Sequence, residues 1–238
     1  TVIAAMETGV FEVALKDNTE VQMSCLAKVN HPAPGMRFND GRCDANGRFW
    51  ISTMCRDMSL ASTVGGIYCL DAGGLRGPVL GGYITPNGMA FNNDATVGYL
   101  SDSNPTMQKI WKHTFDLVNG QWGPKTTWVD MTSMPGRPDG AAVDTEGCYW
   151  VCANDAGMVH RFSPAGALLN SIHFPASKPS MCAFGGPELR HLFVASIKPA
   201  NPVEGFHVNT DGAVFVVETD AQGLPEPMFS QFPHSLVP

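Results

Sequence analysis

The chain has 238 residues, 44% of them hydrophobic and 16% charged, with 25 glycines and 18 prolines. That many Gly and Pro exclude a helical bundle and suit a soluble, turn-rich β fold. A net charge of −7, with 15 Lys and Arg that never cluster, excludes a nucleic-acid or anionic-membrane surface and points to a small or neutral partner. No apolar run is long enough to cross a bilayer, and no signal peptide is visible at the start. Seven cysteines are an odd count in a chain too large to need disulfide staples, so they are expected as reduced, buried thiols. With no Asn-x-Ser/Thr acceptor present, a cytoplasmic location is expected.

In chain order, TVIAAME, GVFEVALKDN and EVQMSCLAKV read as three strands with no inner strand ahead of them. From Phe38 a unit of four strands follows: RFNDGRCDAN, RFWISTM, GGIYCLDAGG and LRGPVLGGYI. A second begins at Pro86 and runs through KIWKHTFDLVNGQW to KTTWVDM. A third begins at Arg137 with PDGAAVDTEG, CYWVCAND, GMVHRFSPAG and LLNSIHFPA. The fourth starts at SMCAFGG, continues through LRHLFVASI and GAVFVVETD, and ends near EPMFS. Aligning Gly41, Gly88 and Gly140 gives units of about 50 residues, the range of propeller blades. The expectation is one all-β propeller domain over residues 1–238, with four complete blades and a partial N-terminal one.

In three units an acidic or amide residue precedes an inner-strand glycine. Alone, each Asn-Gly or Asp-Gly is a favoured turn dipeptide. Their recurrence at equivalent positions of radially arranged blades predicts that Asn39, Asn87 and Asp139 converge. One carboxylate among amide oxygens forms a hard donor set suited to a divalent cation. Cys148 and Cys152 lack the spacing and the His partner of a zinc site.

RFNDGRCDANGRFWISTM, TPNGMAFNNDATVGYLSDS, RPDGAAVDTEGCYWVC and SMCAFGG together resemble successive signatures of the SMP-30/gluconolactonase/luciferin-regenerating-enzyme family, from about Thr1 to Phe229. The resemblance implies a six-bladed propeller that hydrolyses sugar lactones to aldonic acids with one divalent metal ion. Ca²⁺ comes first, with Zn²⁺, Mn²⁺, Mg²⁺ or Fe²⁺ as alternatives. It implies Asn87 and Asp139 as metal ligands and Arg37 and Asn39 as substrate contacts. Asp57 stands where the family commonly places a further substrate-contacting Glu, and a solvated loop charge is the competing reading. The family's third ligand, a Glu in a Gly-Glu-Gly-Pro or Gly-Glu-Ser-Pro segment, has no match; Glu7, Glu12 and Glu20 read as surface charge.

Lactone hydrolysis needs an electrophile, a water and a proton acceptor, and Asp139 is the expected acceptor. Ser52, Ser101 and Ser103 lack a Gly-x-Ser-x-Gly elbow, which argues against a serine hydrolase. Trp50, Trp111, Trp128 and Trp150 read as packing between blades. Two rival functions stay open: a metal-binding or interaction propeller without turnover, and a lactonase or esterase acting on non-sugar esters. The missing first blade and inner strand, roughly 60 residues at about 50 per blade, lead to the expectation of a longer protein whose N-terminal part carries the absent Glu.

Overall fold

The computed structural model describes residues 1–16, 20–207 and 209–230. Frequent Gly and Pro disfavour helices; among the described residues, apart from two single 3₁₀ turns, Met58–Leu60 and Pro187–Leu189, every regular element is a strand. The chain divides into two compact units: residues 1–86 with the described residues 227–230, and residues 87–226.

In the first unit, β1 (Val2–Ala5), β2 (Gly9–Lys16) and β3 (Glu20–Lys28) form a three-stranded sheet. Next comes a four-stranded meander of β4 (Met36–Cys43), β5 (Phe49–Cys55), β6 (Gly65–Asp71) and β7 (Gly74–Tyr83). Val10, Phe38, Ile51, Tyr68 and Leu70 fill the core of this unit.

The second unit carries β8 (Pro86–Phe91), β9 (Val97–Asp102), β10 (Lys109–Asp116) and β11 (Gln121–Asp130) as one four-stranded sheet. A second four-stranded sheet is made of β12 (Arg137–Val143), β13 (Tyr149–Asn154), β14 (Met158–Phe162) and β15 (Leu168–His173). The last sheet has three strands, β16 (Pro179–Gly185), β17 (His191–Ser196) and β18 (Val214–Glu218). One core cluster links Tyr99, Ile110 and Met131 to Tyr149 and Phe162, and another packs Trp150 and Cys152 against Phe184 and Leu192. The four-stranded meanders are propeller blades, and in each the first strand in the chain is the one read as inner from the sequence.

Two expectations need correction. The six blades implied by the resemblance are five sheets among the described residues, because 238 residues at about 50 per blade supply fewer than five full blades. The fourth complete blade is three-stranded: residues 226–230 add no strand to it. Pro225 and Pro227 lack the N–H a ladder requires, and the Ser230 N–H donates instead to the Gly47 carbonyl at 2.9 Å.

One device occurs in both units. In D-A-N-G-R-F-W and D-T-E-G-C-Y-W the leading carboxylates, Asp44 and Asp144, are fully buried. Oδ1 of Asp44 accepts the N–H groups of Asn46 and Arg48 at 2.9 and 3.1 Å, and Oδ2 accepts the Trp50 indole at 2.8 Å. Asp144 repeats this with Glu146, Cys148 and the Trp150 indole at 3.0, 2.9 and 2.9 Å. Arg48 and Arg161 neutralise the two carboxylates at 2.6 and 2.7 Å. The turn between first and second strand is thereby tied to a core tryptophan, and an arginine, Arg76 or Arg161, lies 5.3 Å over each indole. The tryptophans accordingly belong to the interior, as expected; Trp50, Trp111 and Trp150 are buried and Trp128 partly so. No disulfide joins any of the seven cysteines; Cys69, Cys148, Cys152 and Cys182 are buried as expected, whereas Cys25 is exposed and Cys43 and Cys55 are half-buried. Burial pushes the Cys69 thiol up to about 12, which leaves it protonated and inert.

Candidate active site

Gly41, Gly88 and Gly140 lie inside the inner strands β4, β8 and β12 and not at hairpin tips. In β4 the register passes from Phe38↔Thr53 to Gly41↔Ile51, so Asn39 and Asp40 together oppose Ser52. In β12 it passes from Pro138↔Ala153 to Ala141↔Val151, so Asp139 and Gly140 oppose Cys152. β16 has the same irregularity between Pro179 and Met181, at Ser180. Such bulges break the ladder locally and re-aim a side chain. In β4 and β12 the polar residue before the glycine, Asp40 or Asp139, sits on the bulge, with Asn39 beside Asp40.

The glycines make room for close approach. A Cβ on Gly88 would lie 2.3 Å from the Tyr149 hydroxyl and 2.7 Å from Ser101 Oγ, and its φ of +59° disfavours any side chain. A Cβ on Gly140 would lie 2.6 Å from Met181 Sδ and from the Ser180 carbonyl.

Within the second unit the structure ties Asn87 and Asp139 into one network. Asn87 is buried, and its Nδ2 donates to Ser103 Oγ at 2.6 Å. The Ser103 hydroxyl donates in turn to the Pro138 carbonyl, the peptide that leads into Asp139. Tyr149 Oη donates to the Gly88 carbonyl at 2.7 Å. Asp139 is half-buried, and its Oδ2 accepts Nδ2 of the buried Asn154 at 2.7 Å. Each of the two expected ligands is therefore oriented by a neighbour at the end of the second strand of its blade, Ser103 just after β9 and Asn154 closing β13.

Within the first unit Arg37 and Asn39 are partners. Arg37 Nη1 donates to Asn39 Oδ1 at 3.0 Å and to the Phe38 carbonyl at 2.8 Å, and Asn39 Nδ2 donates to the Pro86 carbonyl at 3.0 Å. Ser52 Oγ donates to the same carbonyl at 2.9 Å. Asp57 is placed differently. It is exposed and caps the 3₁₀ turn Met58–Leu60, its Oδ1 accepting the Ser59 N–H at 3.0 Å. Glu7, Glu12 and Glu20 are exposed, and Glu7 pairs with exposed Arg56 at 3.0 Å.

Sequence reasoning missed the supporting residues Ser103, Asn154 and Arg137. Their only signal is position: Ser103 and Asn154 close or follow the second strand, opposite the first-strand motif of a blade. The donor chemistry of Asn87 and Asp139, an amide oxygen and a carboxylate, fits a hard divalent ion. Among the described residues no three His, Cys, Asp or Glu side chains gather to form a metal centre. No helix of the described residues is long and apolar enough to cross a membrane.

The meandering blades and the bulged inner strands define a β-propeller with a polar residue set on its first strands. Residues 1–198 match the SMP-30/Gluconolactonase/LRE-like region, and the chain belongs to that family. It is 33% identical over 230 residues to a 6-deoxy-6-sulfogluconolactonase of Pseudomonas putida, across 96% of this chain and 76% of that protein. It is 31% identical over 196 residues to pentonolactonase XacC of Haloferax volcanii, across 80% of this chain and 65% of that one. Among solved structures, the calcium-binding protein regucalcin from Agrobacterium tumefaciens superposes with a TM-score of 0.84 at 27% identity, covering 96% of this chain and 75% of the other.

Proposed function

We propose that this protein hydrolyses a sugar lactone to the aldonic acid, with a divalent metal ion, calcium first, held by Asn87 and Asp139. The observation that carries this reading is the bulge of β12, which presents Asp139 with one carboxylate oxygen fixed by Asn154. Relatives named as lactonases supply the substrate class, and the calcium-binding structure supports the choice of ion.

Hydrolysis adds water across the ring ester: the carbonyl carbon gains a hydroxyl, the C–O bond to the ring oxygen breaks, and that oxygen takes a proton. A bound divalent ion supplies Lewis-acid polarisation of the carbonyl. Asp139 accepts the proton of the attacking water at a carboxylate oxygen, as a general base. Asn154, donating to Oδ2, keeps that carboxylate in one orientation, and Ser103 does the same for the Asn87 amide. Arg37 and Asn39 hold sugar hydroxyls; the Arg37 guanidinium is a planar fork of donors, already braced by Asn39. Asp57, with Oδ1 engaged in its cap, adds a contact through Oδ2.

The test is acid release from a panel of aldonolactones by protein stripped with chelator and reloaded with single divalent ions. Release well above the spontaneous rate supports the reading. A chain that binds Ca²⁺ and turns over no lactone is a metal-binding propeller without catalysis. Faster turnover of an aryl ester than of any sugar lactone assigns it to non-sugar esters.

A further inference from the structure

Arg137 opens β12 two residues before Asp139, and its guanidinium reaches both supports of the proposed ligand pair. Nη1 donates to the carbonyl of Ser103 at 2.8 Å, and Nη2 donates to Oδ1 of Asn154 at 3.3 Å. Ser103 is the residue that holds Asn87, and Asn154 is the residue that holds Asp139. A third donor, Nε, pairs with Oδ2 of Asp155 at 2.6 Å, and Lys178 pairs with the other oxygen of that carboxylate. Asp155 stands at a positive φ of +75° and is fixed from both sides. Only 18% of the Arg137 side chain is exposed, so its bonds to Ser103 and Asn154 are partly shielded from competing water, while the pair with Asp155 faces solvent.

We propose that Arg137 is a positioning residue that sets the placement of Asn87 relative to Asp139, by bonding at once to Ser103 and Asn154. This rests on the reading of those two residues as metal holders. Three acceptors around one plane require a guanidinium. It spreads five N–H donors in a rigid fork, whereas a lysine ammonium offers three donors on one atom and cannot reach the Ser103 carbonyl, Asn154 and Asp155 in the same geometry. Arg137 touches neither the metal ion nor the substrate in this scheme. Its effect therefore travels through the partners of the ligands, where substitutions typically cost about 10–100-fold in metal affinity.

The experiment is calorimetric titration of the chelator-stripped full chain with Ca²⁺ and Mn²⁺, with melting temperature followed in parallel, for wild type, Arg137→Lys, Asn154→Ala and the double variant. Expected is a loss of affinity of about tenfold or more in each single variant. The double variant should be no weaker than the sum of two independent effects and closer to one, since both residues lie on one path. Metal affinity equal to wild type in Arg137→Lys, with only a lowered melting temperature, overturns the proposal and leaves Arg137 a structural residue. If Arg137→Lys does not fold, unaltered affinity in Asn154→Ala overturns it equally. A wild-type chain that binds neither ion overturns the metal reading itself, and this proposal with it, a result distinct from wild-type binding that the variants leave unchanged.

Discussion

At the scale of single residues, Asp139 is the expected proton acceptor, the carboxylate that the bulge of β12 presents beside Asn154. Asp139→Asn keeps shape and the chance of a bond to Asn154 but removes the proton acceptor and its charge. Turnover of the best lactone should fall by at least about a hundredfold, the lower end for loss of a general base. Near-normal turnover in that variant would refute the assignment. Asn87→Ala should weaken metal binding, with activity partly recovered at high metal concentration. Gly88→Ala tests the packing argument instead. At φ +59° and with a Cβ 2.3 Å from the Tyr149 hydroxyl, alanine should destabilise by more than about 1 kcal/mol, visible in a chemical denaturation curve.

At the scale of elements, the blades are held by the buried aspartate after the first strand. Asp144 accepts two backbone N–H groups, the Trp150 indole and the Arg161 guanidinium. Asp144→Ala strands all four donors, and Arg161 loses its buried partner while Glu146 remains on the exposed side. Breaking such a buried pair costs about 3–5 kcal/mol, so the melting temperature should drop by roughly 6–12 °C for a chain of this size. An equal loss from Asp44→Ala would show that the two turns are energetically equivalent; a drop of a degree or two in both would refute their role as staples.

At the scale of the whole molecule, two buried histidines make stability depend on pH. His113 Nδ1 donates to the Gly123 carbonyl at 2.9 Å. His160 Nε2 donates to the Pro135 carbonyl at 3.0 Å, while Nδ1 accepts the Ser171 hydroxyl at 2.7 Å. Burial lowers the basicity of both, and Lys125 and His173 add to it, against the opposing pull of the two carbonyl bonds. The unfolded chain therefore takes up protons near about pH 6.5, while the folded chain takes them up only lower. Stability should be full above that value and decline as pH falls through it, levelling once the folded rings also titrate. Unfolding free energies measured from pH 7.5 down to 5 should show this slope, and His160→Gln should reduce it. A flat profile over that interval would sink the argument.

What the sequence determined by itself is whatever depends on local chemistry repeated along the chain. Gly and Pro density, strand alternation and the spacing of Gly41, Gly88 and Gly140 yielded the propeller class, the three N-terminal strands and three four-stranded blades. They also singled out the polar residues that stand on the inner strands. What only the tertiary structure decided depends on partners distant in the chain. A bulge exists only relative to its neighbouring strand, so the reason for a polar residue before Gly41 and Gly140 is invisible until Ser52 and Met181 are in place, as the need for Gly88 is until the Tyr149 hydroxyl is. The same holds for EPMFS, which reads as the end of the fourth blade until Ser230 is seen bonded to Gly47. It holds too for Arg137, an unremarkable charge before a Pro-Asp-Gly. Its meaning comes from Ser103 and Asn154, which the fold alone brings within reach of one guanidinium.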